Sequence, residues 1–292
     1  MSTAPLVTPR TPAYGPQPDS PPLPPETFGL TFAVRPALGQ DGTPTLALFA
    51  AGLLPGRYAQ IYGGRATGAV EILAIDASTG RLHHHRAERN DAVPLPLVMT
   101  PQPPPPDPEE AEIESIDAYF AVDVRTQLAL PAEGAAYTIF LWLDEMTSGA
   151  LRVAVPGGQA EAPPQPVVGP PGFHFRRILG APQAQGAEIV LQRGAGESRV
   201  YWAAGPALLG PVPEGTTDYL TVLGLDFRSR LLRGHSYPVP EAAHAGGDLA
   251  FDFDLNFLFG GPGWLDSPDP PRRGFVVACL GQSLSPVLVV EP

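Results

Sequence analysis

Residues 70–76 read Val-Glu-Ile-Leu-Ala-Ile-Asp, and residues 220–226 read Leu-Thr-Val-Leu-Gly-Leu-Asp, so a similar apolar segment ending in aspartate occurs twice, 150 positions apart. The residues that follow keep this spacing, because Leu82 matches Leu232 and His85 matches His235. Short apolar runs bounded by turn-forming residues are typical of buried β-strands. The two segments therefore predict the same strand in two related halves of the chain.

Three more pairs of segments repeat in the same order along the chain. Residues 49–52 match 202–205 at a spacing of 153, residues 120–124 match 251–255 at a spacing of 131, and residues 139–143 match 276–280. Strands that share only a similar composition would give isolated matches but seldom a consistent order. A repeat of about 140 residues is too long for a solenoid unit, so the sequence predicts the duplication of a whole domain.

The composition favours strands over helices. Of the 292 residues, 43% are hydrophobic, which is enough for one large or two ordinary cores, and 32 glycines with 39 prolines indicate many turns. Each half contains six or seven short apolar segments separated by such turns. We therefore predict an all-β fold of two tandem antiparallel β-sandwich domains, immunoglobulin-like or jelly-roll, related by internal duplication.

Proline-rich stretches predict where the domains begin and end. Residues 1–27 contain nine prolines and almost no apolar periodicity, so we expect a disordered proline-rich arm. The first β-sandwich domain is predicted at 28–158, with a proline-rich insert at 94–115. A linker at 159–168 then leads to the second β-sandwich domain at 169–292.

The charge of the chain narrows the range of partners. The acidic residues outnumber the basic ones 30 to 18, and the net charge of −12 offers no attraction to nucleic acid phosphates or to an anionic membrane. The chain contains arginine but no lysine, which excludes a Schiff-base or P-loop mechanism. We expect a protein partner or self-association, and neither nucleic acid nor a membrane.

The single cysteine and the first residues bear on the cellular compartment. Cys279 has no second cysteine for an internal disulfide, and it lies in an apolar run where a buried, inert thiol is expected. The chain begins MSTAPLVTPRTPAYG, without the apolar segment of a secretory signal, and no apolar run is long enough to span a bilayer. We therefore expect a cytoplasmic protein, with export without a leader as the open alternative.

The histidines at 83–85 are the most conspicuous candidates for a binding site. In a strand His83 and His85 face the same side and could bind copper or zinc, and His235 is a third candidate ligand because it matches His85. Such a site requires the fold to bring His85 and His235 together. Neighbouring arginines disfavour a cation, so the alternative is an ordinary solvated strand.

Trp264 is the candidate for contact with a ligand. It lies in the glycine-rich stretch 260–266, which predicts a loop, whereas Trp142 and Trp202 lie in alternating strands that predict core positions. Sandwich domains that bind sugars or peptides use exposed aromatic rings as contact surfaces.

Recognised catalytic patterns do not occur: the sequence lacks Gly-x-Ser-x-Gly, His-Glu-x-x-His, a Walker motif and Cys-x-x-Cys. We therefore assign no catalytic residue and no cofactor beyond the copper or zinc considered above. The leading hypothesis is a non-catalytic binding or assembly protein. The alternatives are a metal-binding protein or metalloenzyme that uses His83, His85 and His235, and a carbohydrate-binding module.

Overall fold

The structure is a computed structural model. It describes residues 6–8, 12–24, 27–62, 66–87, 115–130, 135–155, 184–185, 187–194, 198–208, 218–239, 249–259, 264 and 273–291. Nearly all of the insert predicted at 94–115, and the whole of the linker predicted at 159–168, lie outside the described residues. Of the helices within these ranges, none is long and apolar enough to cross a membrane.

The first half of the chain forms two antiparallel sheets. Their strands are β1 (Ala13–Tyr14), β2 (Gly29–Leu38), β3 (Pro44–Pro55), β4 (Glu71–Asp76), β5 (Leu82–Arg86), β6 (Ser115–Asp123), β7 (Ala136–Leu143), β8 (Met146–Thr147) and β9 (Leu151–Ala154). Sheet A has the order β1-β6-β3-β2, and sheet B has the order β5-β4-β7, with β8 and β9 both paired to β7. The helices α1 (Arg57–Ile61) and α2 (Val124–Gln127) and a 3₁₀ turn at Ala66–Ala69 lie between strands.

The second half also forms two antiparallel sheets. Their strands are β10 (Ile189–Arg193), β11 (Arg199–Ala204), β12 (Tyr219–Asp226), β13 (Leu232–Pro238), β14 (Leu249–Asp254), β15 (Gly274–Leu280), β16 (Ser283–Leu284) and β17 (Leu288–Val290). Sheet C has the order β10-β11-β14, and sheet D has the order β13-β12-β15, with β16 and β17 both paired to β15. A 3₁₀ turn at Pro206–Leu208 follows β11, and the helix α3 (Leu255–Phe259) follows β14.

The two halves share one topology, which confirms the predicted tandem duplication of β-sandwiches. The order β2-β3-β6 in sheet A recurs as β10-β11-β14 in sheet C, and β5-β4-β7 in sheet B recurs as β13-β12-β15 in sheet D. The register agrees residue by residue at the predicted spacing of 150, because Ile75 lies opposite Leu82 and Leu225 lies opposite Leu232. The distribution of strands between the two sheets of each copy is that of an immunoglobulin-like sandwich.

One predicted match is shifted by a residue. Ala50 lies opposite Phe120, and Trp202 lies opposite Phe251, so Trp202 corresponds to Ala50 rather than to Phe49, at a spacing of 152 instead of 153. Ala50 and Trp202 both belong to sandwich cores, whereas Phe49 lies on the outside of sheet A. Because successive side chains of a strand face opposite sides, a shift of one residue exchanges the core and outer faces.

The four sheets stack in the order A, B, D, C. One core lies between sheets A and B and contains Leu48 and Ile139, and another lies between sheets C and D and contains Trp202 and Val222. A third core joins the two sandwiches, because side chains from sheet B meet side chains from sheet D: Leu73, Phe140 and Trp142 on one side, and Leu223, Phe275 and Val277 on the other.

This stacking explains why residues 70–76 and 220–226 are almost continuously apolar. In a sandwich with one solvated sheet face, apolar and polar residues alternate along the strand. Sheets B and D are covered on both faces, and every residue of β4, β7 after its first, β12 and β15 is buried. The apolar run in the sequence is therefore a consequence of the third core.

The described part of the arm differs from the disordered segment predicted at 1–27. β1 pairs with β6, and the backbone N–H of Thr8 donates to the carbonyl of Leu38 at 2.9 Å. Leu6 and Ala13 pack against the outer face of sheet A, which is formed by Ala37, Ala47, Phe49 and Ala121. This face is apolar, so its burial offsets the entropy of ordering the arm, a cost that the fixed φ of proline already reduces.

Candidate functional site

The contact between the two sandwiches contains a buried polar cluster of Arg230, Asp144 and Tyr62. The Arg230 guanidinium donates to the Tyr62 hydroxyl at 2.9 Å and forms an ion pair with the Asp144 carboxylate, which also accepts a hydrogen bond from Tyr62. The side chains of Arg230 and Asp144 are only 13% and 2% exposed. Burial raises the pKa of Tyr62, so its hydroxyl stays protonated and able to donate.

The backbone holds both charged residues in place. Arg230 lies in the turn between β12 and β13 with φ of 55°, a left-handed conformation that favours glycine, and the corresponding position in the first half is Gly80, with φ of 70°. The Trp142 indole donates to the Asp144 carbonyl at 2.7 Å. Both side chains therefore project from tight turns into the contact between the sandwiches.

Two further hydrogen bonds show that the halves face each other with approximate two-fold symmetry. Arg86 donates to the carbonyl of Arg230 at 2.7 Å, and Ser236 donates to the carbonyl of Gly80. Arg86 corresponds to Ser236, and Arg230 corresponds to Gly80, at the spacing of 150 set by the strand register. Each bond is thus the counterpart of the other across the contact.

The two outermost sheet faces differ in chemistry. The outer face of sheet A is apolar and lies beneath the arm. On the outer face of sheet C, Arg199 forms an ion pair with Asp252. Tyr201 lies between Asp252 and Gln192 on the neighbouring strands and is paired with both of them. One end of the stack is therefore an apolar surface closed by the arm, and the other end carries an ion pair and polar side chains.

The structure does not bring His85 and His235 together. His83 and His85 lie opposite Ala74 and Ile72, on the side of sheet B that faces sheet A. His235 lies opposite Val222, on the side of sheet D that faces sheet C. Sheets B and D therefore lie between the histidines of the two halves, contrary to what the predicted shared metal site requires.

The electrostatic setting of these histidines is also unfavourable for a cation. Burial, followed by the charge of Arg81, lowers the pKa of His83, and burial, followed by Arg233, lowers the pKa of His235. Within the ranges given above, no group of three or more His, Cys, Asp and Glu side chains is arranged to hold a metal ion.

Trp264 is buried, so the prediction of an exposed contact residue is corrected. Its side chain is 3% exposed, its indole N–H donates to the Asp226 carboxylate at 2.7 Å, and its ring stacks on Phe259 at 3.9 Å between centroids. Gly274 provides the space, because a Cβ there would lie 2.8 Å from the Trp264 ring. Trp142 and Trp202 are fully buried, as predicted.

Cys279 is buried in the third core, as the sequence predicts. Burial raises the pKa of its thiol to about 12, so the reactive thiolate is disfavoured near neutral pH.

Sequence reasoning missed Arg230, Asp144 and Tyr62. Asp144 lies in an ordinary-looking turn, and the three residues are far apart in the chain. One signal was available, because Arg230 aligns with Gly80 in a turn where glycine is favoured. A bulky cation at such a position indicates a specific contact that compensates for the strained backbone.

Fold and contacts define the class: an all-β protein of two tandem immunoglobulin-like sandwiches packed face to face. No protein-family model matches the chain, and no curated protein does. Among solved structures, it is similar to a two-domain fibronectin type-III segment of chicken tenascin, with 12% identity and coverage of 91% of this chain and 99% of that one. The TM-score is 0.17, so this similarity carries no argument about function.

Proposed function

We propose that the protein is a non-catalytic interaction or assembly component, a rigid double sandwich that presents two different outer surfaces to protein partners. The observation that carries the proposal is the third core, in which Leu73, Phe140 and Trp142 of sheet B pack against sheet D. Domains joined only by a linker move relative to each other by default, whereas a large apolar contact suppresses that motion. The shared core favours a single body over two flexible modules.

Rigidity is useful for assembly because it fixes the spacing and direction of binding surfaces. Sheets A and C are the outermost layers, so the arm that covers sheet A and the outer face of sheet C are directed away from each other. A partner that binds one face is thereby held at a defined distance from a partner on the other. Pre-organisation of this kind lowers the entropic cost of building a complex.

The chemistry of the chain supports proteins as the partners. A net charge of −12 disfavours nucleic acid and anionic membranes. The burial of Trp264 removes the ring on which the carbohydrate-binding alternative was based. The separation of His85 from His235 likewise removes the geometry on which the shared metal site depended.

The proposal is tested by sedimentation velocity of the full chain over a wide concentration range, and by cross-linking mass spectrometry in extracts of the source cell. We expect a concentration-dependent complex, or reproducible cross-links from the outer surfaces of sheets A or C to one protein. A chain that stays monomeric throughout and gives no reproducible cross-link to another protein contradicts the proposal.

A further inference from the structure

The arm covers both the outer face of sheet A and one of its edges. At the edge, β1 pairs antiparallel with β6, and the backbone N–H of Gly15 donates to the carbonyl of Tyr119 at 3.2 Å. Over the face, Leu6 and Ala13 pack against four apolar residues that are at most 8% exposed: Ala37, Ala47, Phe49 and Ala121. We call this face and edge together the sheet A surface.

Thr8 is the residue that fastens the arm most closely to the sheet. Its hydroxyl donates to the Asp123 carboxylate at 2.6 Å, its backbone N–H donates to the Leu38 carbonyl at 2.9 Å, and its carbonyl accepts from the Gln40 side-chain amide at 2.6 Å. Among the described residues 6–8 and 12–24, Thr8 alone is buried. Segments with few buried contacts open at a low cost in free energy. The arm is therefore able to lift while both sandwich cores stay intact.

Asp123 keeps its place in the sheet without the arm. One of its carboxylate oxygens accepts from the Thr45 hydroxyl at 2.8 Å and from the Thr126 backbone N–H at 2.9 Å, and the latter bond caps α2. The other oxygen accepts from the Thr8 hydroxyl. When the arm lifts, the first oxygen keeps both bonds and the second becomes open to water. The sheet A surface is thus built by the sheet itself, and the arm only covers it.

An uncovered sheet A surface fits a second copy of itself. It would expose apolar side chains and the backbone groups of β6, and both features promote association. The chain already pairs two related sheets by their apolar faces, because Phe140 of sheet B and Phe275 of sheet D share the third core. The edge of β6 accepts an antiparallel neighbour, which is the direction that two-fold pairing of identical strands requires.

We propose that sheet A is a self-association surface and that the arm is its built-in cover, so that two copies pack through their sheet A surfaces when their arms lift. This inference rests on the proposed assembly function and specifies how one outer end of the molecule is regulated. The occupant of the uncovered surface is sheet A of a second copy, and the arm competes with that copy for the surface.

The experiment releases the arm in the full-length chain. The release variant Leu6→Asp/Ala13→Asp places two carboxylates against the apolar face, where they are poorly solvated. The control Val7→Asp/Pro16→Asp adds the same charge at exposed positions of the arm. Trypsin cleavage after Arg10, the one basic residue in 1–27, reports release of the arm. Sedimentation velocity over a range of concentrations gives the dissociation constant of the dimer.

A milder pair of variants tests the same cover with little risk to folding. Thr8→Val keeps the shape of the side chain but removes the donor to Asp123, whereas Thr8→Ser keeps the donor. Thr8→Val should shift cleavage and association in the same direction as the release variant, and Thr8→Ser should match the wild type. Near-ultraviolet circular dichroism of the buried Trp142, Trp202 and Trp264 reports whether the cores they occupy are intact in each variant.

We expect faster cleavage in the release variant and a dimer dissociation constant about tenfold or more below that of the control, because dimerisation no longer competes with the covered state. Ala121→Asp added to the release variant puts a charge on the sheet A surface itself and should restore the dissociation constant of the control.

Faster cleavage without stronger association would overturn the proposal, and so would a cleavage rate equal to that of the control. Reproducible cross-links from the outer surfaces of the wild type to another protein would then leave the assembly function standing without a covered surface for self-association.

Discussion

Arg230 joins the two sandwiches through a buried ion pair and a hydrogen bond. It bonds to Tyr62 and pairs with Asp144, both from the first half. Arg230→Ala leaves a buried carboxylate without its cation, so we expect a loss of about 3 kcal/mol in the free energy of unfolding, measured by urea denaturation.

Two matched variants separate the effect of charge from that of backbone strain. Arg230→Gly should be about 1 kcal/mol more stable than Arg230→Ala, because glycine adopts the left-handed φ of 55° without strain. Arg228→Ala removes an exposed arginine from the same turn and should change stability by less than about 0.5 kcal/mol. Equal losses in Arg228→Ala and Arg230→Ala would contradict the assignment.

The half-buried histidines His83 and His235 predict a pH dependence of stability. The pKa of an unperturbed histidine is about 6.5, and burial, with Arg81 and Arg233 as the nearby cations, lowers the pKa of His83 and His235, although Asp76 opposes the shift at His83. As the pH falls below about 6.5, the unfolded chain binds protons that the folded chain does not. The free energy of unfolding should therefore fall between about pH 7.5 and pH 5.5.

Urea denaturation at the two pH values measures this effect. The double variant His83→Asn/His235→Asn should show a smaller decrease than the wild type. Leu231→Asn is the control, since Leu231 is 48% exposed and carries no titratable group, and it should retain the full decrease. An unchanged decrease in the double variant would show that other groups are responsible.

At the scale of single elements, a substitution in β7 tests whether the third core stabilises the protein. Phe140 faces sheet D, on a side of β7 that would be in water if each sandwich stood alone. Phe140→Ala should lower the free energy of unfolding by about 4 kcal/mol, as expected for a fully packed aromatic side chain. Leu151→Ala, in the neighbouring β9 at 39% exposure, should cost less than about 1 kcal/mol. Similar small losses for both would mean that sheets B and D do not pack together in solution.

The strands were predictable from the sequence because local pattern determines them. Residues 70–76 and 220–226 are apolar and end in a turn aspartate, and the shared order of the repeats predicted the shared topology. The side of the sheet that a residue faces is harder to predict from the sequence, because a shift of one residue in the register reverses it. The assignment of Phe49 to Trp202 failed for that reason.

The contacts of the arm and of Trp264 could not be predicted from the sequence, because they are made with residues that are distant in the chain. Proline-rich sequence is disordered unless a partner surface holds it, and that surface is built from β2, β3 and β6. Trp264 lies in a glycine-rich stretch, but Asp226 and Gly274 give its indole a carboxylate and a space. Long-range contacts of this kind leave no local pattern in the chain.

The whole molecule should unfold as one cooperative unit. Two sandwiches on a flexible linker commonly melt separately, whereas here both halves contribute side chains to one core. Differential scanning calorimetry should give a single transition, with a ratio of calorimetric to van't Hoff enthalpy near one. Phe140→Ala, which weakens the shared core, should lower this cooperativity, while Leu151→Ala should preserve it. Two resolved transitions in the wild type would contradict a single rigid body.

Because Arg230 and Gly80 differ, neither half is suited to pack against a second copy of the same half. Asp144 is the first residue of the turn after β7, and Gly281 holds the same place after β15, with φ of 48° and 60°. Two copies of the second half, joined in the same way, would bury Arg230 against Gly281 with no anion nearby. Two copies of the first half would place Gly80 against Asp144 in the position that Arg230 occupies. An isolated buried charge is costly, so the fused chain behaves as an obligate heterodimer whose two subunits have become distinguishable since their duplication.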